Sequence, residues 1–180
     1  MKNQKKLAYQ CKIFSVYEAQ VPLPNGRTVK QSFIDHKPTV AVVAVNKEKE
    51  LLLIRQFRAA VNNHLLEIPA GSMDKDQESP LVCAQRELAE ETGFKAKNMI
   101  KIYEGYLLPG YCNEYMYFFL AYDLVYDPLA PDDDEFIEVL PTSFDRARDL
   151  LAKGEIIDAK TALGIIWACS YIDQKRLFEK

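Results

Sequence analysis

Three glutamates near the middle of the 180-residue chain have a spacing that suits metal chemistry. Glu87, Glu90 and Glu91 stand at i, i+3 and i+4, which brings their side chains to neighbouring positions on a helix. Like charges at this spacing oppose helix formation by roughly 0.2–0.5 kcal/mol per pair, so a cation should balance them. Arg86 and Lys95 can supply part of that charge. Grouped carboxylates are also what magnesium prefers, while a solvated acidic face is the simpler alternative.

These glutamates need a helix to position them, and the flanking residues supply its boundaries. Ser79 is a suitable N-cap, and Pro80 suits the first helical position because its missing N–H would have had no partner there. Gly93 can take the left-handed conformation that ends a helix. The apolar stripe that we expect to pack against a sheet consists of Leu81, Ala84 and Leu88.

Predicted strands lie on both sides of this helix. A hairpin is indicated over residues 11–21 and 27–34, because Pro24-Asn25-Gly26 between them suits a tight turn. The other predicted strands are residues 39–45, 51–57, 65–70, 101–106 and 114–124, and the other predicted helices are residues 143–153 and 161–174. The order of strands, one central helix, more strands and terminal helices predicts an α+β fold.

Composition excludes several classes of protein. Hydrophobic residues make up 48% and charged residues 27%, which is typical of a globular domain. The net charge is only -3 and the basic residues are scattered, so we expect no nucleic-acid partner. We find no apolar run of the length that a signal peptide or membrane span needs. The four cysteines are far apart, and we expect a cytoplasmic protein with reduced thiols.

The residues around the glutamates form a longer motif. Gly71, six residues, Glu78, seven residues, Arg86-Glu87-Leu88, one residue, Glu90-Glu91, one residue and Gly93-Phe94 follow in order. This pattern closely resembles the Nudix box, Gly-x5-Glu-x7-Arg-Glu-U-x-Glu-Glu-x-Gly-U, where U is a bulky apolar residue. The first gap is one residue longer than in the family, which leaves the position of Glu78 open. The helical spacing of the glutamates is unaffected.

The resemblance implies a fold, a metal and roles for the motif residues. The Nudix fold is an α/β/α sandwich on a mixed β-sheet, here with an N-terminal antiparallel hairpin. Glu87 and Glu91 would be the principal metal ligands, with Glu90 and the backbone carbonyl of Ala70 as further ligands. The metal would be Mg²⁺, with Mn²⁺ possible. Arg86 would mostly orient the glutamates, and it is included with Glu90 among the catalytic residues.

Further segments resemble the ADP-ribose pyrophosphatase branch of the family. Arg55-Gln56-Phe57-Arg58 followed by residues 66–71 looks like its lead-in to the box, and residues 154–161 look like a later segment of that branch. Pro109 lies sixteen residues after Gly93, where that branch has a proline. The implied reaction is metal-dependent hydrolysis of the diphosphate bond of a nucleoside diphosphate sugar, with ADP-ribose giving AMP and ribose 5-phosphate. GDP-mannose, other nucleotide sugars and nucleoside triphosphates are alternative substrates.

The remaining site residues are assigned more indirectly. Glu135, in an acidic segment after the main strands, is our candidate for the general base, although such a segment can also be a solvated turn. Arg58 is a candidate diphosphate-binding residue, and we expect Arg55 on the same strand face. Glu114 and Pro109 are candidates for binding substrate. The simpler interpretation of either arginine is a surface cation. The simpler interpretation of Glu114 is a solvated glutamate at a strand edge.

Two expectations concern organisation. Residues 1–35 would form a hairpin extension and residues 36–180 the Nudix domain. Relatives commonly exchange N-terminal strands across a dimer, so the resemblance implies a homodimer formed through the extension. A Nudix domain that only binds a nucleotide and regulates another protein is an alternative of a different class, although such domains should lose metal-binding glutamates.

Overall fold

The computed structural model describes residues 5–130 and 136–178. Within these residues the chain forms ten strands and three helices. The strands are β1 (Lys5–Gln10), β2 (Phe14–Pro22), β3 (Thr28–His36), β4 (Thr39–Ala44), β5 (Glu50–Arg58), β6 (Asn63–Glu67), β7 (Ala70–Ser72), β8 (Phe94–Tyr106), β9 (Tyr115–Tyr126) and β10 (Ile137–Ser143). The helices are α1 (Pro80–Thr92), α2 (Phe144–Ala152) and α3 (Ala159–Lys175). Two compact units share these elements.

The first unit comprises Met1–Pro38 and Gly105–Met116. Its three strands form an antiparallel sheet in the order β1-β2-β3. The predicted hairpin is present as β2 and β3, and Gly26 takes the positive φ of 80° that the turn between them requires. The sequence did not predict β1, which is exposed along its whole length and therefore lacks an alternating pattern of burial.

The second unit comprises Thr39–Glu104 and Tyr117–Lys180. It contains a three-stranded sheet, in the order β10-β5-β6, and a four-stranded sheet, in the order β7-β4-β9-β8. Every residue of β4 is buried, which agrees with its continuous apolar sequence. A bridge between Val45 and Leu51 links the end of β4 to the start of β5.

Helices cover both faces of β4. Val42 packs with Cys83 and Leu88 in a core cluster on the α1 side. Val43 points the opposite way, because successive side chains of a strand alternate, and it lies beside Gly164 of α3. Helix, sheet and helix therefore form three layers, as expected for an α/β/α sandwich.

The buried stripe of α1 differs from the predicted one. Leu81 is 46% exposed, so its predicted place against the sheet is wrong. The buried face instead follows Cys83, Glu87 and Glu91 at four-residue intervals, and it also includes Ala84 and Leu88. At 100° per residue Leu81 lies at the margin of that stripe. Two of the motif carboxylates are consequently on the buried face itself.

Other boundaries differ where proline or glycine controls the backbone. The predicted strand over residues 65–70 is two strands, β6 and β7, interrupted before Pro69. β8 starts directly after Gly93, earlier than predicted. The sequence did not predict β10, which contains Pro141 and lies at the edge of its sheet, where proline is tolerated. None of the helices over the described residues combines the length and apolar character needed to span a membrane.

A glycine permits the close approach of α3 to the sheet. A Cβ added at Gly164 would lie 2.6 Å from Cδ1 of Ile68 and 3.2 Å from Cγ2 of Val43. We expect Gly164→Ala to lower the melting temperature, because overpacking a buried contact costs about 1–3 kcal/mol and outweighs the gain in helix propensity. Thermal unfolding followed by circular dichroism measures this. Gly110→Ala is the matched control, since a Cβ there meets nothing within 4 Å; equal melting temperatures for the two variants would contradict the prediction.

Candidate active site

The glutamates of the motif are positioned by a helix with well-defined ends. The side chain of Ser79 accepts a hydrogen bond from the backbone N–H of Val82 at 3.3 Å, as predicted for an N-cap. Gly93 has φ 79°, and its N–H donates to the carbonyl oxygen of Ala89. Because both ends of α1 are capped, the carboxylates project from a fixed length of helix.

Two of these carboxylates contact the first two residues of β7. The Oε2 atom of Glu91 accepts a hydrogen bond of 2.9 Å from the backbone N–H of Ala70. The carboxylate of Glu87 lies directly against Gly71, where an added Cβ would be only 2.0 Å from its Cδ. Glu87 and Glu91 are 9% and 5% exposed, so both are held in the protein surface rather than extended into water.

Arg86 lies at the centre of the acidic cluster. Its Nε and Nη2 atoms donate to the two carboxylate oxygens of Glu78 at 2.9 and 3.0 Å. Its Nη1 atom donates to Glu87 at 2.7 Å and to Glu90 at 2.8 Å. The paired charges raise the pKa of Arg86, chiefly through the hydrogen bonds to Glu78, and Arg86 in turn lowers the pKa of Glu78. Lys95 pairs with Asp127 instead, so the prediction that it neutralises the cluster is wrong.

The longer loop after Gly71 does not separate Glu78 from the motif. The side chain of Glu78 is 5% exposed and makes both hydrogen bonds of a bidentate pair with Arg86. The additional residue is accommodated before Glu78, in a loop where Gln77 takes a positive φ of 60°. Glu78, whose position the sequence left open, therefore lies beside Arg86.

The oxygen-rich cluster fits a divalent cation chemically. Carboxylates of Glu87, Glu90 and Glu91 and the carbonyl of Ala70 are hard donors of the kind that magnesium and calcium select. The cluster already holds a cation, because Arg86 bridges Glu87 and Glu90. Among residues 5–130 and 136–178, no group of three or more aspartate, glutamate, histidine or cysteine side chains is arranged to hold a metal ion. Metal binding would thus require the carboxylates nearest Arg86 to turn toward the ion.

Arg58, the last residue of β5, belongs to a second group of charged side chains, together with Glu67 and Lys160. Its Nε and Nη2 atoms donate to both carboxylate oxygens of Glu67, at 2.7 and 2.6 Å. Burial by itself raises the pKa of Glu67, but Arg58 and Lys160 outweigh that effect and the pKa lies below its ordinary value. Arg55 is three residues from Arg58 and so faces the opposite side of β5, where it pairs with Glu138 at 3.1 Å. The expectation that both arginines share one face is wrong.

Sequence reasoning assigned no role to a group of side chains at the start of α3. Lys160 donates to Glu67 and, at 2.9 Å, to Asp158. The Oγ1 atom of Thr161 accepts a hydrogen bond of 2.9 Å from the backbone N–H of Ile68. These residues lie within the segment 154–161 that resembles one branch of the family, which was the only signal of their importance.

The other candidate residues lie elsewhere in the chain. Pro109 and Glu114 belong to the first unit, where Pro109 is exposed and the backbone N–H of Glu114 donates to the sulfur of Cys112 at 3.4 Å. Glu135, the candidate general base, lies outside the described residues. Their assigned roles stay predictions.

Comparison with known proteins identifies the family. The NUDIX domain family matches residues 35–162, which is most of the chain. The chain belongs to the Nudix family. A Nudix relative from Bacillus subtilis (strain 168), named ADP-ribose pyrophosphatase, is 38% identical over 163 residues, covering 89% of this chain and 88% of the relative. The predicted family is confirmed, as is its class of enzyme, a Nudix hydrolase. Nudix hydrolases generally depend on a divalent metal ion.

Other relatives carry different names. The Methanol dehydrogenase activator of Bacillus methanolicus is 33% identical over 147 residues, covering 81% of this chain and 79% of the relative. A GDP-mannose pyrophosphatase of Salmonella paratyphi B (strain ATCC BAA-1250 / SPB7) is 37% identical over 151 residues, covering 77% and 78%. A solved structure of an ADP compounds hydrolase superposes with a TM-score of 0.82 at 21% identity, covering 97% of this chain and 96% of that one. This superposition confirms the predicted α+β Nudix fold.

The contact between Gly71 and Glu87 gives a direct test of the metal site. In Gly71→Ala the new Cβ would overlap the Glu87 carboxylate, so the carboxylate must move. It can do so at little cost to stability, because it is the end of a flexible side chain. We expect a large loss of divalent-metal affinity, measured by calorimetry, with little change in the melting temperature. Gly110→Ala, whose Cβ has open space, should bind metal as the unmodified protein does. Unchanged metal affinity in Gly71→Ala would contradict a role for the contact with Gly71 in placing Glu87 for metal binding.

Proposed function

We propose that this Nudix enzyme hydrolyses the diphosphate bond of ADP-ribose and releases AMP and ribose 5-phosphate. The observation that carries the proposal is the group of Glu87, Glu90 and Glu91 on one capped helix, with Glu87 and Glu91 against the start of β7. The 38% identity to the Bacillus subtilis ADP-ribose pyrophosphatase, over 89% of this chain, supports the choice of substrate.

Mg²⁺ is the proposed metal, and Mn²⁺ is a possible substitute. Its proposed ligands are Glu87, Glu90, Glu91 and the carbonyl oxygen of Ala70, because all supply hard oxygen donors. When bound, the metal neutralises the charge of the diphosphate and lowers the pKa of a water molecule. Arg86 keeps the carboxylates oriented through its contacts with Glu87 and Glu90.

Arg58 is the proposed diphosphate-binding residue. Two of its nitrogen atoms are bound to Glu67, yet 39% of its side chain is exposed, so the guanidinium is both oriented and accessible to an anion. A planar guanidinium suits the oxygens of a phosphate. Glu135 is proposed as the general base that takes the proton from water, and Glu114 and Pro109 as substrate-binding residues. Arg55 is a weaker candidate, because it faces away from Arg58 and pairs with Glu138.

GDP-mannose is the main alternative substrate. The Salmonella relative named GDP-mannose pyrophosphatase is 37% identical over 77% of this chain, nearly the same identity as the ADP-ribose relative. A panel of ADP-ribose, GDP-mannose, ADP-glucose, NADH, diadenosine compounds and nucleoside triphosphates, assayed with Mg²⁺, decides between them. We expect the highest kcat/KM for ADP-ribose; a higher value for another compound would replace the proposed substrate.

A purely regulatory role is the alternative of another class. The relative named Methanol dehydrogenase activator motivates it. Retention of all three motif glutamates, two of them on the buried face of α1, favours an enzyme.

Glu91→Gln separates these two functions. The amide oxygen of glutamine can still accept the hydrogen bond from the backbone N–H of Ala70, but it supplies no charge to a metal ion. We expect turnover of ADP-ribose to fall by at least about 100-fold, while circular dichroism and the melting temperature change little. If Glu91→Gln turned over ADP-ribose at the rate of the unmodified protein, Glu91 would not be a metal ligand. If the unmodified protein hydrolysed no compound in the panel, the regulatory role would be favoured.

We also propose that the enzyme is a cytoplasmic homodimer joined through the extension formed by residues 1–35. All four cysteines are free thiols, as expected for a reducing compartment. The strand β1 is an exposed edge strand, and Leu7 and Tyr9 on it are 45% and 57% exposed. Exposed apolar side chains on a sheet edge favour pairing with a second chain.

Light scattering after gel filtration tests the dimer. We expect the unmodified protein to have twice the mass of one chain and Leu7→Glu/Tyr9→Glu to be monomeric, because two buried charges would oppose association. Ile157→Glu, which charges an exposed apolar position in the second unit, should remain dimeric. A monomeric unmodified protein would end this proposal.

A further inference from the structure

The connection from the end of β6 to the start of β7, residues 67–70, is fixed at every residue. Glu67 is bound by Arg58, and the backbone N–H of Ile68 donates to Thr161. The carbonyl oxygen of Pro69 accepts from the backbone N–H of Val42 at 2.8 Å. The backbone N–H of Ala70 donates to Glu91. The loop that carries a proposed metal ligand is therefore held by α1 on one side and by α3 on the other.

The contacts from α3 come from three side chains at its start, those of Asp158, Lys160 and Thr161, which lie within about one turn. Asp158 is the N-cap, and its Oδ2 atom accepts from the backbone N–H of Thr161 at 3.0 Å and from its hydroxyl at 2.6 Å. The same Oδ2 atom accepts from Nζ of Lys160 at 2.9 Å. Lys160 then reaches Glu67, so one lysine joins the helix cap to the loop.

Lys160 contributes to the charge balance of the buried Glu67 carboxylate. The carboxylate of Glu67 is 1% exposed, and a buried carboxylate is costly unless it is fully paired. Arg58 occupies both of its oxygens from one side, and Lys160 neutralises it from another. Lys160 is itself only 11% exposed, so it is placed to act on Glu67 rather than on a substrate in solution.

We propose that Lys160 is a positioning residue: by holding Glu67, it fixes the Arg58 guanidinium in the orientation that receives the diphosphate. This inference rests on the proposed function, since it assumes that Arg58 binds the diphosphate. Without Lys160, the Glu67 carboxylate is held by Arg58 alone and can turn with it. Arg58 then loses its fixed orientation, because a bidentate pair can rotate as a unit unless one partner is anchored elsewhere.

A lysine that only stabilises the fold would behave differently. Its removal would lower the melting temperature but leave the folded protein with its full affinity for a diphosphate. A positioning role predicts weaker binding by the folded protein, and it predicts that the effect passes through Glu67. Effects that pass through a shared partner are not additive, so a double-mutant cycle distinguishes the two roles.

The experiment measures the Kd of α,β-methylene-ADP by calorimetry, with EDTA present so that metal binding does not contribute. The proteins are the unmodified chain, Lys160→Met, Glu67→Gln and the double variant. In the double variant the lysine is removed without leaving a carboxylate at position 67. We expect Lys160→Met to weaken binding by about 10-fold, and to weaken it by less than about 2-fold when Glu67→Gln is already present. Melting temperatures show that each protein is folded at the temperature of the titration.

Two further variants complete the design. Lys160→Arg keeps a cation beside Glu67 and should restore most of the affinity, whereas a side chain needed only for packing would not require a charge. Lys153→Met removes an exposed lysine that pairs with Asp149 near the end of α2, and it should bind the probe normally. Lys160→Gln replaces Lys160→Met should the latter fail to fold.

The outcomes separate this inference from the proposed function. Unchanged affinity in Lys160→Met, or equal losses with and without Glu67→Gln, would overturn the positioning role even if ADP-ribose is hydrolysed. If the unmodified protein hydrolyses no nucleotide sugar but the expected pattern of Kd values is found, the proposed function fails and the role of Lys160 in diphosphate binding stands. In the hydrolysis assay the same role predicts that Lys160→Met raises KM for ADP-ribose more than it lowers kcat.

Discussion

Repulsion among the carboxylates of α1 is the constraint on which the rest of the site depends. Glu87 and Glu90 lie within one turn of the same helix, and the preceding loop brings Glu78 to the same arginine, Arg86. Partial burial strengthens the repulsion, because less water separates the charges. The guanidinium of Arg86 contacts all three, and its planar arrangement of donors can serve several carboxylates at once. The acidic group is thus assembled around an internal cation before any metal ion is considered.

The two glycines of the motif meet different physical requirements. Gly93 ends α1 with φ 79°, a conformation that side chains rarely adopt. Gly71 is needed for space, because the Glu87 carboxylate occupies the volume that a Cβ would fill. One glycine therefore fixes where the helix stops and the other fixes how closely a carboxylate approaches the loop. Together they place Glu87 and Glu91 beside Gly71 and Ala70.

Features set by neighbouring residues could be predicted from the sequence, and features set by distant pairing could not. The caps at Ser79 and Gly93, the hairpin and the buried β4 each follow from a local pattern, and the structure has all of them. The edge strand β10 carries no such pattern and forms because β5 provides a partner along its whole length. The contact of Lys160 with Glu67 joins residues 93 positions apart, so no spacing rule indicates it. The buried stripe of α1 was predicted only in part, since Ala84 and Leu88 are buried as expected, whereas Glu87 and Glu91 lie on the buried face and Leu81 does not.

The residues proposed to bind the diphosphate differ from those that would select one substrate over another. A diphosphate is common to ADP-ribose and GDP-mannose, so side chains that hold it cannot distinguish the two compounds. In the roles proposed above, the carboxylates of α1, the Arg58–Glu67 pair and the start of α3 all serve that shared part or its metal. Relatives with different named substrates resemble this chain almost equally, at 38% and 37% identity, which is expected if their common features serve the diphosphate. Selection must come from residues that contact the base or the sugar. Changes at Lys160 should therefore alter the affinity for every diphosphate compound by a similar factor and leave the order of preference unchanged.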